Sequence, residues 1–225
     1  MLRDFISLIY PHLCAACSKP LYNNENHICT YCRYQLPKTN FHLEKDNPIS
    51  RIFWGRVNIH AATSCYYFNK GGKIQRLIHQ LKYMGGKEIG ITIGRFLGAD
   101  LKESSLFSDI EYIVPVPLHR SKRRKRGYNQ SDYFAKGLSE SMEATNINDN
   151  LYRASKGASQ TRKAHYERWE NVESSFKVKR PDQLKEKHIL LVDDVVTTGA
   201  TLESCAHALL DIPDTTVSIA TIACA

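Results

Sequence analysis

The segment from residue 188 to residue 202 constrains the fold of this chain more than any other. It begins with an apolar run that ends at Val192, which is typical of a strand buried on both faces of a sheet. Asp193 and Asp194 follow, and a short loop then leads into the apolar period of a helix over 199–210. Parallel α/β sheets are built from such strand–loop–helix units, and they bind ligands at the carboxyl ends of their strands. The sequence therefore predicts a ligand site beside the two aspartates.

The same succession of strand and helix recurs along most of the chain. Strands without polar alternation, each followed by a helix, indicate a parallel sheet that is covered on both faces. We therefore predict an α/β fold with these further elements: a strand at 61–68, helices at 72–84 and 87–101, a strand at 112–116, a basic loop, a helix at 129–144 and a last strand at 217–223.

The loop after the aspartates has the residue types of a phosphate site. Thr197 to Thr201 can aim backbone N–H groups and three hydroxyls at one phosphate, and the helix dipole adds attraction. Carboxylates beside that site suit ribose hydroxyls or a bound Mg²⁺. A Walker B strand also ends in acids, but neither Gly71 nor Gly85 begins a Walker A loop. A phosphoacceptor aspartate would not explain the threonine-glycine loop; a buried strand with an ordinary helix cap is the plain alternative.

Four of the seven cysteines stand in two pairs near the start of the chain. A Cys-x2-Cys turn points two thiolates at one centre, and two such turns complete the tetrahedron that Zn²⁺ accepts. Two disulfides or a redox pair are the alternatives, which the three further cysteines and the lack of a recognisable secretory signal disfavour. We therefore predict a structural zinc site with these ligands: Cys14, Cys17, Cys29 and Cys32.

A polar, proline-bounded stretch at 37–50 predicts a linker between two parts of the chain. We accordingly expect a zinc ribbon and linker at 1–50 and the α/β domain at 51–225. Of the remaining cysteines, Cys65 and Cys205 are expected in the core, and Cys224 has no assigned role. No apolar stretch reaches the roughly 18 residues that span a bilayer, so we expect a cytoplasmic protein without a membrane span.

The net charge of +8 is concentrated in two segments. Residues 118–130 hold six basic and no acidic residues, and residues 151–180 hold eight basic and three acidic residues. Two cationic patches beside a predicted phosphate loop favour a phosphate ester or a nucleic acid as partner. The first patch contains Arg120 and, directly after it, these residues: Lys122, Arg123, Arg124, Lys125 and Arg126.

Several motifs together resemble a known family. Residues 189–202 are similar, position by position, to the phosphoribosyl diphosphate (PRPP) motif of type I phosphoribosyltransferases. With the four-cysteine ribbon, further segments resemble the ComF family of competence-associated proteins over essentially the whole chain. These segments are Leu81-Lys82-Tyr83, Val114 to His119, Arg124 to Gln130, Ser159-Gln160-Thr161 and Arg168 to Val172.

The resemblance implies a role for each matching residue. Asp193 and Asp194 would contact the ribose 2′ and 3′ hydroxyls. Lys82 would add a cation at the reaction centre, as would Arg168 from a closing loop at 153–176. The pyrophosphate would lie against a short loop made of Pro117, Leu118, His119 and Arg120. The 5′-phosphate would be held by Thr197, Thr198, Gly199, Ala200 and Thr201.

The resemblance further implies a phosphoribosyltransferase-like domain that binds PRPP with Mg²⁺ and transfers the phosphoribosyl group, releasing pyrophosphate. The sequence does not identify the acceptor. Because the family is named for competence, the resemblance also implies a link to DNA uptake, with single-stranded DNA and an uptake helicase as partners. The alternative is a non-catalytic nucleic-acid-binding or adaptor protein that uses the same fold to sense PRPP or phosphate.

Overall fold

Five parallel strands form the sheet on which the candidate site is built. A computed structural model describes residues 11–22, 24–154 and 176–225. The strand order is β1–β7–β6–β2–β3, and β4 and β5 form a separate antiparallel pair. The strands are β1 (Ala62–Tyr67), β2 (Tyr112–Pro115), β3 (Thr145–Asn146), β4 (Leu151–Arg153), β5 (Phe176–Val178), β6 (His188–Val196) and β7 (Thr216–Cys224).

Helices cover both faces of this sheet, as the strands without polar alternation predict. In the central strand β6, Leu190 and Val192 belong to one apolar cluster, whereas Ile189 and Leu191 belong to the other. The α/β fold with a parallel sheet is therefore confirmed. The helices are α1 (Thr30–Gln35), α2 (Pro48–Ile52), α3 (Lys73–Tyr83), α4 (Lys87–Lys102), α5 (Arg120–Arg126), α6 (Gln130–Met142) and α7 (Ala200–Leu210), with short 3-10 turns at Phe41–Leu43 and Pro181–Gln183.

Helices α4 and α6 cross closely on one face of the sheet. Gly94 permits this approach, because a Cβ there would overlap the carbonyl oxygen of Phe134. Gly137 does the same from the other side, where a Cβ would overlap the carbonyl oxygen of Ile91. The apolar side chains of α4, which include Ile89, Ile93 and Leu97, pack in the core. The contact also fixes α6, whose first turn faces the carboxyl end of β6.

Two predictions from the sequence are wrong in local structure. The basic stretch after β2 was expected as a loop, but Arg120 to Arg126 form helix α5, in which no residue is buried. Strand β6 was expected to end at Val192, but it continues to Val196, so both aspartates lie within the strand. Val195 and Val196 pair with β7, and this pairing extends the strand.

The segment expected as a linker, 37–50, is folded onto the domain. Asn47 is buried; its side-chain amide donates to Ala62 O at 2.9 Å, and its side-chain oxygen caps α2. Phe41 and Ile49 pack in the same apolar cluster as β6 and α7. The segment therefore contributes core residues, while the division of the chain at residue 50 stays a prediction.

The four-cysteine module packs against α3. Gln80 on that helix donates to Ala15 O at 2.8 Å, and Arg76 donates to Ala16 O at 3.2 Å. The buried residues of the module belong to one apolar cluster with Leu77 and Leu81 of α3. Cys65 in β1 and Cys205 in α7 are buried, as expected, and both are free thiols. No helix in the described ranges is long and apolar enough to cross a membrane.

Candidate functional site

Strands β2 and β6 bring the predicted site residues to one edge of the sheet. Pro115, the last residue of β2, is paired with Val192 of β6. The chain after β2 therefore emerges beside the aspartates, and Val116 N still bonds to Val192 O at 2.8 Å. This register explains why the loop at 117–119 and the aspartates, distant in sequence, meet at one site.

A polar cavity of about 180 Å³ lies at this edge. Its lining contains four cationic side chains and two carboxylates, so the net charge of the lining is positive. It brings together nine of the residues singled out from the sequence: Lys82, Pro117, Leu118, His119, Lys122, Arg126, Asp193, Asp194 and Thr201. The other lining residues are Val116, Asn129, Gln130 and Arg153.

The two aspartates are held in different ways. The carboxylate of Asp193 accepts hydrogen bonds from the Ser131 hydroxyl at 2.9 Å and from the Asp194 backbone N–H at 2.8 Å. Burial, and then the charge of Asp194, raises the pKa of Asp193 to about 7, against the opposing effect of these hydrogen bonds and of Lys82. Asp193 is thus a carboxyl group that can exchange a proton near neutral pH.

Asp194 is paired with a lysine from another layer of the fold. The Lys82 ammonium, in the last turn of α3, lies 2.9 Å from Asp194 Oδ2. The two side chains are 21% and 8% exposed, so the pair is partly shielded from water. The resemblance implied that Lys82 would approach the site, and the ion pair shows the contact by which it is held there.

The loop between β6 and α7 presents unused backbone donors. The N–H groups of residues 197–201 donate no backbone hydrogen bond within the described part of the chain. Thr197, Thr198 and Thr201 are exposed, and Thr201 also lines the cavity. Free N–H groups at the start of an eleven-residue helix attract an anion.

Gly199 gives this loop its shape. Its φ is +74°, a left-handed conformation that residues with a Cβ rarely adopt. A Cβ at this position would also lie 2.7 Å from Ile52 Cγ2 and 3.0 Å from Phe53 Cε1. Arg56 fastens the loop from outside by donating to Thr198 O at 2.9 Å and by pairing with Glu203. The segment at 52–56, just after the predicted linker, thus supports the back of the loop.

Only two of the six cations of helix α5 line the cavity. His119 caps the helix by accepting from Ser121 N, and Gly127 ends it at a φ of +79°. Lys122 and Arg126 line the cavity, and the Arg126 guanidinium also lies over the Tyr83 ring. The other cations of the helix are exposed and outside the lining: Arg120, Arg123, Arg124 and Lys125.

Two of the four further lining residues, Arg153 and Asn129, add polar groups that the sequence motifs did not assign to the site. Arg153, at the end of β4, lies with its guanidinium 5.2 Å from the centre of the Phe176 ring. Asn129 is buried and donates to Val116 O and to Asp132, while its side-chain oxygen has no partner in the described residues. Asn129 lies in the quoted motif at 124–130, which was the available signal; the expected residue Arg168 lies outside the described residues.

The four cysteines near the start of the chain converge on one point. Their sulfur atoms all lie within 4.8 Å of one another, and those of Cys17 and Cys29 are 3.8 Å apart. Sulfurs bound tetrahedrally at about 2.3 Å are separated by roughly 3.8 Å, so the spacing suits one metal ion. The Cys29 N–H also donates to Cys14 Sγ at 3.3 Å. The four cysteines are thus positioned to bind a metal.

The thiols of this cluster favour a bound cation. Burial raises the pKa of Cys14, but N–H donors from Cys29, Cys17 and Ala16 outweigh it and lower that pKa to about 7. Burial and neighbouring sulfurs raise the pKa of Cys32. Crowded thiolates repel one another, and a divalent cation removes that repulsion when it replaces the protons.

Comparison with known proteins gives relatives that cover most of the chain. DNA utilization protein YhgH of Escherichia coli O157:H7 is 28% identical over 94% of this chain and 96% of its own length. Competence protein ComFC of Bacillus subtilis is 27% identical over 88% of this chain and 78% of its own length. Competence protein F of Haemophilus influenzae is 28% identical over 59% of this chain and 60% of its own length.

No protein-family model matches the chain. Among solved structures, a hypoxanthine phosphoribosyltransferase from Staphylococcus aureus overlaps 60% of this chain and 62% of its own, with a TM-score of 0.33 and 16% identity. The sequence relatives, aligned along most of their length, agree with the motifs that resemble the ComF family. The chain is therefore a homologue of proteins named for DNA utilization and for competence.

Proposed function

We propose that this protein binds PRPP as its magnesium complex and transfers the phosphoribosyl group to an acceptor, releasing pyrophosphate. One observation carries the proposal: a single cavity unites the carboxylates of β6, the loop after β2 and Lys82. These parts come from three separate segments of the chain. The carboxylates suit the two ribose hydroxyls, Thr201 brings the loop suited to the 5′-phosphate to the same cavity, and the cations suit the diphosphate.

Each part of the ligand has a complementary surface. Asp193 and Asp194 supply acceptors for the ribose hydroxyls and oxygen ligands for Mg²⁺, which prefers one or two carboxylates together with phosphate oxygens. The free N–H groups of residues 197–201 suit the 5′-phosphate. The diphosphate would then meet the cations of the lining, which are Lys82, Lys122, Arg126 and Arg153.

The proposed reaction is a displacement at ribose C1. The lone pair of the acceptor forms the new bond while the bond from C1 to the diphosphate oxygen breaks, and that electron pair leaves with pyrophosphate. Charge grows on the leaving group, where the lining cations stabilise it; Mg²⁺ bound with the diphosphate would supply further stabilisation of that charge. Asp193 and Asp194 hold the ribose and balance the positive charge that develops at its ring.

A structural metal supports the same fold from outside the site. We infer that the ion held by the four cysteines is zinc, because four thiolates in a tetrahedron are the usual ligands of structural Zn²⁺. The module packs on α3, which also carries Lys82. The zinc would therefore stabilise the helix that positions one cation of the site.

The names of the relatives suggest a setting for this reaction. They are called DNA utilization and competence proteins, and for this chain we propose a role linked to DNA uptake in the cytoplasm. The names of the relatives concern only the biological process; the proposal that PRPP is the ligand depends on the residues of the cavity.

A pyrophosphate-release assay tests transfer. PRPP and Mg²⁺ are incubated with the protein and with nitrogen nucleophiles such as ammonia and the nucleobases. We expect acceptor-dependent release that Asp194→Asn reduces at least about a hundredfold, because the site loses a carboxylate that contacts ligand and metal. If no acceptor stimulates release in the wild type, the transfer step is wrong even where PRPP binds.

A second candidate function is binding of single-stranded nucleic acid by α5. The observation that favours it is that six of the seven residues of this helix are cations and none is buried. Four of those cations lie outside the cavity lining, so they stay available to a nucleic-acid backbone when the cavity is filled.

Charge reversal on α5 tests this candidate. Arg123→Glu with Arg124→Glu should weaken binding of a single-stranded oligonucleotide and reduce its salt dependence, because fewer counterions are then released. The matched control is Lys185→Glu with Lys187→Glu, which changes the net charge equally at the opposite end of β6. Equal losses in both variants would show a general charge effect and remove α5 as a binding surface.

A further inference from the structure

A second and larger cavity lies along α7, apart from the candidate site. It is a groove of about 660 Å³ between the segment at 54–61 and the helix. It shares no lining residue with the smaller cavity. Its lining consists of Lys45, Ser50, Trp54, Gly55, Arg56, Val57, Asn58, Ile59, His60, Ala61, His207 and Leu210.

Trp54 places an exposed indole ring in the lining of this groove. The indole is 61% exposed, which is unusual for so large an apolar side chain. The Arg51 guanidinium lies 5.7 Å from the ring centre, and Asp46 fixes that guanidinium through two hydrogen bonds of 2.7 and 3.1 Å. Arg51 is not part of the lining, so its contact with the indole does not involve a residue of the groove other than Trp54 itself.

The polar part of the lining is suited to an anion. It contains Lys45, Arg56, His60 and His207 and no carboxylate. Lys45 forms no ion pair within the described residues. The His60 ring packs edge-on at 5.1 Å against His188, which is itself fixed by Asp109 and Ser218. A negative ligand would therefore meet two cations, two imidazoles and no carboxylate in the lining itself, while Glu203, the ion-pair partner of Arg56, lies outside it.

We propose that this groove binds a mononucleotide, with its base stacked on Trp54 and its phosphate held by the cationic lining. Two observations favour one nucleotide over a strand. The volume is that of a small-molecule site. The groove also offers one indole and no phenylalanine, tyrosine or second tryptophan, whereas strand-binding surfaces stack successive bases on several such large rings.

The groove is also connected to the phosphate loop. Arg56 lies at its end and donates to Thr198 O and to Ile52 O. A phosphate in the groove would compete with Glu203 for this guanidinium. The bound nucleotide would thereby act on the loop from its outer side. The assignment of the groove does not depend on the proposed PRPP chemistry.

Equilibrium dialysis with labelled 5′-AMP tests the proposal. We expect one AMP per chain in the Asp193→Asn, Asp194→Asn variant, and a site of the same affinity in the wild type, because the groove lies outside the cavity that holds the two aspartates. Trp54→Ala and Lys45→Glu should each weaken binding about tenfold or more, through loss of stacking and of a cation. Tyr22→Ala and Lys185→Glu, matched exposed positions elsewhere, should leave the affinity unchanged.

Four results would overturn the proposal. They are the absence of AMP binding at millimolar concentration, binding that Trp54→Ala leaves intact, binding that is lost in the aspartate variant, and an oligonucleotide that binds the groove where AMP does not. Ribose 5-phosphate and adenosine separate the two halves of the ligand. Each should bind more weakly than AMP, and equal affinity for ribose 5-phosphate would show that Trp54 contributes no stacking.

Discussion

At the residue scale, the site depends on how one carboxyl group is buried. Asp193 lies in the middle of a strand rather than at its end, next to a second aspartate. Ser131 and one backbone N–H stabilise its charge, yet burial and Asp194 prevail and raise its pKa to about 7. An unliganded site with such a group stores electrostatic strain, which a metal ion or ligand hydroxyls can relieve.

Neutralising Asp193 is therefore expected to stabilise the free protein. Because the pKa is raised, the folded state holds the proton more tightly than the unfolded chain, and stability falls as the pH rises from about 4 to about 7. Asp193→Asn removes that dependence. At pH 8 its free energy of unfolding should exceed that of the wild type by on the order of 1–3 kcal/mol, and this gap should shrink towards pH 4.

Calorimetric unfolding of both proteins between pH 4 and pH 9 measures this gap. Ser131→Ala serves as the control, because it removes a hydrogen bond to the charged carboxylate and should widen the loss of stability above pH 7. A gap between Asp193→Asn and the wild type that stays constant with pH would mean that the carboxyl group is not strained.

Gly199 is the second residue on which the site depends. Gly199→Ala should destabilise the protein by roughly 2–4 kcal/mol, because alanine is strained at this φ and its Cβ would press on Ile52 and Phe53. Gly71→Ala is the matched control, since Gly71 has a φ of +78° and nothing within 4 Å of an added Cβ. Denaturant unfolding of both variants separates backbone strain from the clash, and equal losses would contradict the packing described for the loop.

At the scale of elements, α5 shows where sequence patterns stop being informative. Its seven residues contain no apolar position, so no helical period could be detected. The helix is capped at both ends, by the His119 side chain at its start and by Gly127, in a left-handed conformation, at its end. In the sequence, the one signal for the end of this helix is Gly127, which directly follows the run of basic residues, and glycine is equally common in loops.

The packing of the segment at 37–50 against the domain could not be predicted for a related reason. Its buried residues follow no regular helical or strand spacing; they are Phe41, His42, Asn47, Ile49 and Ser50. Asn47 looks like a turn residue in the sequence. It is buried because its side-chain oxygen accepts from the first N–H groups of α2 and its amide donates to Ala62 O. Tertiary hydrogen bonds of this kind cannot be inferred from local composition.

The four-cysteine module gives a prediction at the same scale. Cys17→Ser should abolish binding of about one zinc per chain and lower the temperature of unfolding, because metal binding supplies folding free energy to a module with little core of its own. Cys224→Ser is the matched control, a partly exposed cysteine outside the cluster. Elemental analysis under reducing conditions decides: a wild type without metal, or a Cys17→Ser variant that keeps it, would contradict the assignment.

At the scale of the whole molecule, the sequence predicted the parts of the site better than their arrangement. The aspartates, the loop at 117–119 and Thr201 were singled out from motifs, and strand pairing brings them together. The ion pair of Lys82 with Asp194 and the lining position of Arg153 depend on how separate segments cross. Such contacts over long sequence distances leave no local pattern, and the groove beside Trp54 was missed for the same reason.

The central claim is that the cavity at the end of β6 binds PRPP with magnesium. Calorimetric titration of PRPP into the protein, with and without Mg²⁺, tests it most directly beside the Asp193→Asn, Asp194→Asn variant. We predict binding of about one PRPP per chain that requires Mg²⁺ and is lost in the variant, whose circular dichroism spectrum should stay unchanged. Absence of binding to the wild type, or equal affinity in the variant, would contradict the claim.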